Sequence, residues 1–320
     1  MNSIYNRMLS ANKVSIKTLF VIFAVLIAAL LTSACEKKSL DKKSFKAEVK
    51  YAQVGDVKLA YYTLGEGPPL LMINGFLSTM SLWDPALLAE LSKNNKLIVF
   101  DNRGVGLSTD TAENNTTMEQ MADDAAGLVK KLGFKKVNIL GWSMGARIAQ
   151  QFLIRHPDVI NKAVLAAANP GGSYQIPASE DVESKLNNPN IPEMEKLGLV
   201  FTDNAAGKLA ATEVLGRLKL AVENGELPND FKVSKETTER QDRARTTLWS
   251  NNQINFENLK NIKIPVLITD GRYDVIDIPK NSQLIASQIP YSWLAYFDGG
   301  HAFLFQQYGR FAETVNAFLK

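Results

Sequence analysis

An internal disulfide is excluded at once, because the chain has a single cysteine, Cys35, among its 320 residues. Histidine is almost as scarce, with only His156 and His301, and no cluster of His, Cys and carboxylates at metal-ligand spacing is present in the sequence. No metal and no cofactor is therefore implied. A long apolar span is missing too: the run at residues 19–31 has 13 residues, short of the roughly 20 that a membrane-crossing helix needs. Charge of one sign is also lacking. The formal net charge of +3 comes from Arg7, Lys13 and Lys17 in an acid-free leader, and beyond them 33 basic residues meet 33 acidic ones. Nothing favours nucleic acid as a partner, since phosphate binding needs a clustered basic surface. No repeat of about 20 to 50 residues is visible, which argues against solenoids and propellers.

What is present begins with an export signal at residues 1–34: a basic start, the apolar run, and the small residues Thr32, Ser33 and Ala34. An uncleaved anchor starting near Thr18 is the alternative. Leu31-Thr32-Ser33-Ala34-Cys35 resembles the lipobox of bacterial lipoproteins, with Thr32 where that family more often has Leu. The resemblance implies lipidation of Cys35 and attachment to a membrane of the bacterial cell envelope. Glu36 after the cysteine resembles lipoproteins sorted to an outer membrane. Residues 35–50 then form an expected tether, since the stretch from Glu36 to Lys46 is charged and serine-containing. Nothing in the sequence points to a particular oligomeric state.

The remaining chain, with an overall hydrophobic content of 46%, suits one α/β domain carrying an insertion. Its centre is residues 136–151. Val137, Ile139 and Leu140 form a short apolar run, and Ala146, Ile148, Ala149 and Phe152 recur at helical spacing, with Gly141-Trp142-Ser143-Met144-Gly145 between them. Gly-x-Ser-x-Gly at a strand-to-helix turn is a nucleophile elbow, which exposes the serine hydroxyl at the carboxyl end of a sheet strand.

In chain order, residues 51–63 alternate around Gly55-Asp56 as a hairpin. Residues 70–73 and 97–100 are apolar throughout, as expected of strands buried on both faces. Helical patterns at residues 83–91 and 117–132 alternate with them, which implies βαβ units and a parallel sheet. Asn74-Gly75, Asp101 and Ser143 fall at the strand ends, where such sheets bind ligands. A strand at 164–167 follows the elbow helix. From Pro170 to about Leu259, prolines and glycines interrupt helical stretches such as 205–222. A helical cap at 171–259 is expected, splitting a core made of residues 51–170 and 260–320. Strands at 264–269 and 293–297 and a closing helix at 305–319 complete that core. Leu197, Leu199, Val200, Phe201, Leu215 and Leu218 of the cap are expected to pack rather than to line a pocket.

A serine hydroxyl needs a general base and a third group to orient that base. His156 ends the elbow's own helix and points away from the strand ends, which leaves His301, just beyond the last strand. Asp270, Asp274 and Asp277 all follow the strand at 264–269 and are the acids to choose between. Asp274, beyond the Gly271 turn, is preferred. Asp270 sits at the strand's edge, and Asp277 lies near Pro279, where an acid helps cap a helix. Asp298 reads first as part of an Asp-Gly-Gly turn.

Asp101-Asn-Arg-Gly-Val-Gly-Leu-Ser108, Gly271-Arg-Tyr-Asp274 and Gly300-His301, with the chain order Ser143, Asp274, His301, resemble the α/β-hydrolase superfamily from Tyr51 onward. The resemblance implies an α/β-hydrolase fold, a mostly parallel sheet flanked by helices with an inserted helical cap. It further implies an oxyanion hole made by the backbone N–H groups of Phe76 and Met144. Asn74 departs from the histidine that most relatives carry there and is expected to hydrogen-bond locally.

Ser143 argues against haloalkane dehalogenases and epoxide hydrolases, which carry Asp at the elbow. Asn74-Gly75-Phe76-Leu77-Ser78 lacks the His-Gly-Gly-Pro-Gly of proline iminopeptidases. Carboxylesterases and lactonases, carbon-carbon hydrolases and cofactor-free haloperoxidase-like perhydrolases remain. The expected reaction is acyl transfer from a small-molecule ester, thioester or lactone. A catalytically idle binding lipoprotein is the alternative of another class, although decay would be expected to remove Ser143, His301 or the acid.

Overall fold

A computed structural model of the protein describes residues 45–111, 116–188 and 190–320. The expected export leader, Cys35, most of the expected tether and Pro189 lie outside the described residues. Among those described, no helix is long and apolar enough to cross a membrane.

Strands β1 (Lys50–Val54), β2 (Val57–Leu64), β3 (Pro69–Ile73), β4 (Lys96–Phe100), β5 (Val137–Trp142), β6 (Ile160–Ala166), β7 (Val266–Gly271) and β8 (Ser292–Phe297) form one sheet. Its order is β1-β2-β4-β3-β5-β6-β7-β8. Only the β1–β2 and β2–β4 pairings are antiparallel; β4 through β8 pair in parallel. Strand β3 shows why the sheet lies in the middle. Leu71 and Ile73 enter the apolar layer on one face, and Leu70 and Met72 enter the layer on the other. All four are fully buried, and each such side chain contributes about 1.5–3 kcal/mol of transfer free energy.

Helices α1 (Pro85–Leu91), α2 (Met118–Lys131) and α3 (Met144–Arg155) alternate with the strands up to β6. The sequence pattern places the start of α1 at Trp83. It starts two residues later because Asp84 accepts a hydrogen bond from the Ala86 N–H at 3.0 Å and Pro85 occupies the first helical position.

The insertion between β6 and β7 carries α4 (Glu180–Asn187), α5 (Glu193–Val200), α6 (Ala205–Glu223), α7 (Lys235–Arg243), a π-helical turn at Ala244–Leu248, and α8 (Gln253–Leu259). Leu197, Phe201 and Leu218 are buried in the layer beneath it. Helix α8 lies instead against α3, with Phe256 and Leu259 in the opposite layer. Helices α9 (Pro279–Gln288), α10 (Phe303–Gln306) and α11 (Tyr308–Leu319) close the domain. The single closing helix expected from the periodicity is therefore two. The break is at Gln307, whose amide donates to the Asp298 carbonyl at 3.2 Å, while the Gln306 side chain accepts from the Gly300 N–H at 2.8 Å. Both side chains pin the loop that carries His301.

Candidate active site

Strand β5 ends on Trp142, helix α3 starts on Met144, and Ser143 between them has φ 57° and ψ −123°. A non-glycine residue pays about 1–3 kcal/mol for such a conformation, which persists only where the surroundings enforce it. Here the Ser143 N–H donates to the Ala166 carbonyl at 2.9 Å. The flanking glycines are obligatory for space: a Cβ on Gly145 would collide with the Ile73 carbonyl, and one on Gly141 with the Gly145 carbonyl. The loop after β3 also comes close, since a Cβ on Gly75 would stand 3.2 Å from Ser143 Cβ.

His301, buried in the loop after β8, places Nε2 2.8 Å from Ser143 Oγ and Nδ1 2.7 Å from Asp274 Oδ2. Its carbonyl accepts from Trp142 Nε1 at 2.9 Å, which ties the histidine loop to the elbow. The other oxygen of Asp274 accepts from the N–H groups of Ile276, at 2.8 Å, and Asp277, at 3.1 Å. Burial works against protonation of His301, but the Asp274 carboxylate, through charge and hydrogen bond, outweighs it and holds the imidazole pKa above its ordinary value. His156 is remote from this cluster and bonds Asp123 at 2.7 Å.

The other two acids have different partners. Asp270 lies within β7 rather than past its end, opposite Tyr296. One oxygen accepts from the Gly271 N–H at 2.8 Å and the other from Ser282 Oγ at 2.6 Å. Burial, reinforced by the nearby Asp274 charge, pushes its pKa well above the carboxylate range. Asp277 does not cap α9, whose first flanking residue is Ile278 without a side-chain bond. Both Asp277 oxygens accept from Arg147 Nη2 at 2.9 Å, and one also accepts from Asn169 Nδ2 at 2.6 Å. Burial favours its neutral form, but the Arg147 charge prevails and keeps its pKa low. Asp298 is exposed on its turn.

Phe76 and Met144 both line the cleft of about 360 Å³ that Ser143 and His301 face. Asn74 does bond locally, donating through Nδ2 to the Thr79 carbonyl at 2.6 Å, and the cap residue Gln241 accepts from the Leu77 N–H at 2.9 Å. The Asp101–Ser108 stretch braces the rim. Asp101 accepts from Met80 N–H at 2.6 Å and Leu107 N–H at 2.9 Å, and Arg103 grips Asp124 through Nε at 2.6 Å and Nη2 at 2.8 Å.

Sequence reasoning missed Arg147, Asn169, Asp242 and Arg245, which line the same cleft with Asp277. Only Arg147 carried a signal, one helical turn after Ser143.

Residues 68–308 match the alpha/beta hydrolase fold family. The chain belongs to that family. An α/β-hydrolase fold protein from Chitinophaga pinensis superposes with a TM-score of 0.74 at 26% identity, covering 86% of this chain and 98% of that one. The pimeloyl-[acyl-carrier protein] methyl ester esterase of Nitrosomonas europaea is 25% identical over 75% of this chain and 91% of that protein. A candidate non-heme bromoperoxidase of Mycobacterium tuberculosis is 38% identical over 112 residues, 35% of this chain. The chain spans only 42% of the length of that curated relative.

Proposed function

We propose that this α/β-hydrolase cleaves small esters through an acyl-enzyme, with Ser143 as nucleophile, His301 as base and then acid, and Asp274 as the orienting carboxylate. The observation that carries the reading is the unbroken chain of hydrogen bonds from Ser143 Oγ through His301 to Asp274, at 2.8 and 2.7 Å, opening on the cleft. His301 Nε2 takes the serine proton as Oγ attacks the ester carbonyl, and Asp274 holds the tautomer that leaves Nε2 free to accept it. The Phe76 and Met144 N–H groups would receive the oxyanion. The proton then passes to the departing alcohol. Water, deprotonated by the same imidazole, releases the acid and restores Ser143.

A panel of p-nitrophenyl esters of increasing chain length tests the reading. Release of p-nitrophenolate is expected, and failure to turn over any member would overturn it. Similarity to the candidate bromoperoxidase favours a second reading, in which hydrogen peroxide replaces water at the acyl-enzyme and yields a peracid. Bromination in the presence of peroxide and acetate would establish it.

Because only neutral His301 can accept the proton, kcat/KM is expected to rise with pH through an apparent pKa above the ordinary histidine value of about 6.5. A rate profile with its acid limb centred at or below that value would contradict the coupling to Asp274.

We propose also that Cys35 is lipidated and holds the enzyme at an envelope membrane, a reading supported by the leader sequence alone. Cys35→Ser is expected to leave ester turnover unchanged and to release the protein from membrane fractions, since anchoring would depend on the lipid. Continued membrane retention with Met1 still present by mass spectrometry would establish an uncleaved anchor instead.

A further inference from the structure

Two arginines line the cleft, Arg147 and Arg245, and the second is the more sparsely paired. Arg103, Arg155 and Arg217 each grip one carboxylate through both Nε and Nη2, with Asp124, Asp123 and Asp84. Arg147 gives Nη2 to both oxygens of Asp277. Arg245 makes a single bond, from Nη2 to Asp242 Oδ1 at 2.7 Å, and its buried Nε has no partner among the described residues. The Arg245 side chain is about a quarter exposed, and it lines the cleft beside Ser143 and His301.

Its position is fixed from two sides. The guanidinium carbon stands 4.4 Å from the centroid of the Phe76 ring, on the loop that follows β3. Its carbonyl accepts from Arg147 Nη1 at 3.2 Å. Arg245 also sits in the π-helical turn at Ala244–Leu248. Such turns are rare overall and are frequent at functional sites. A planar, charged guanidinium matches a carboxylate better than any neutral group does.

We propose that the cleft selects esters bearing a second, ionised carboxylate, and that Arg245 is the residue that binds it. The inference rests on the esterase reading above. Arg245 has one carboxylate partner, Asp242, and of the other carboxylates that line the cleft Asp277 is already engaged by Arg147 and Asn169, while Glu183 makes no hydrogen bond to the guanidinium among the described residues. A substrate carboxylate would take the place beside Asp242, with its ester carbonyl at Ser143.

The test measures kcat/KM for monomethyl succinate, glutarate and adipate, each against the methyl alkanoate of matched length. The wild type is expected to prefer at least one acid ester by about 10- to 100-fold, the range for a hydrogen bond to a charged group. In Arg245→Gln that ratio should collapse, mainly through KM, and Arg245→Lys, which keeps the charge without the fork, should restore part of it. Both substrates are read on the same preparation, so partial unfolding cancels in the ratio. If the glutamine variant fails to fold, wild-type inhibition serves instead: pentanoate should inhibit neutral-ester hydrolysis more strongly than pentanamide at equal ionic strength.

Ratios near one at all three lengths, with Ser143-dependent hydrolysis of the neutral esters intact, would overturn the inference and leave the esterase reading standing. A preference that survives Arg245→Gln, or equal inhibition by pentanoate and pentanamide, would overturn it likewise. Absence of Ser143-dependent turnover for every ester would overturn both.

Discussion

Ser143→Ala is expected to lower ester turnover on the order of a millionfold, the loss seen when a serine nucleophile of this kind is removed. The fold should survive, with a melting temperature within about 4 °C of the wild type. The reason lies in what the hydroxyl does. Its hydrogen bond is to His301 Nε2, whereas the backbone of the elbow is held by the Ser143 N–H bond to Ala166 and by close packing of Gly141 and Gly145. Alanine keeps all of that, including the positive φ, and loses only the reacting atom. Residual activity above a few per cent in clean protein would show that the nucleophile is elsewhere.

The second large effect separates Asp274 from Asp270. In Asp274→Asn, the N–H groups of Ile276 and Asp277 continue to require an oxygen where Oδ1 now sits. The new amide nitrogen must then face His301 Nδ1. That nitrogen can only accept, so the ring proton moves to Nε2, which no longer takes the proton of Ser143. A loss of about ten-thousandfold in turnover follows, as for the equivalent change in a serine protease. Asp270→Asn should leave turnover within about threefold of the wild type and cost about 1 kcal/mol of stability, the net worth of one buried hydrogen bond. Its partners are Gly271 and Ser282, and burial pushes its pKa well above the carboxylate range. Turnover and melting temperature of both variants decide the matter. A large catalytic loss confined to Asp270→Asn would move the orienting role to that residue.

The parts of the site that could be read from sequence are those encoded locally. The elbow announces itself because strand, glycine-flanked serine and helix are consecutive. His301 follows from the scarcity of histidine and its place after the last strand. Asp274 follows from the need for a turn after Gly271, which the structure contains as the Asp274 N–H bond to the Gly271 carbonyl at 3.1 Å. What stayed hidden depends on contacts between distant segments. Asp277 looked like a helix cap because Pro279 follows it, but Arg147, 130 positions away, claims both its oxygens. Arg245 carries no local signal at all, since its place in the cleft depends on a π-helical turn and on where the cap settles over Phe76. The helix start at Pro85 was available in the Asp84-Pro85 pair, whereas the break at Gln307 comes from side chains reaching back to the loop at 298–300.

The most direct measurement is covalent. Wild-type protein quenched in acid during turnover of a p-nitrophenyl ester, digested and mapped by mass spectrometry, should carry the acyl group on the peptide containing Ser143. The adduct should be absent from Ser143→Ala and should accumulate when release of the acid is slow. An acyl group on any other residue, or full turnover with no covalent species at any quench time, would contradict Ser143 as the nucleophile.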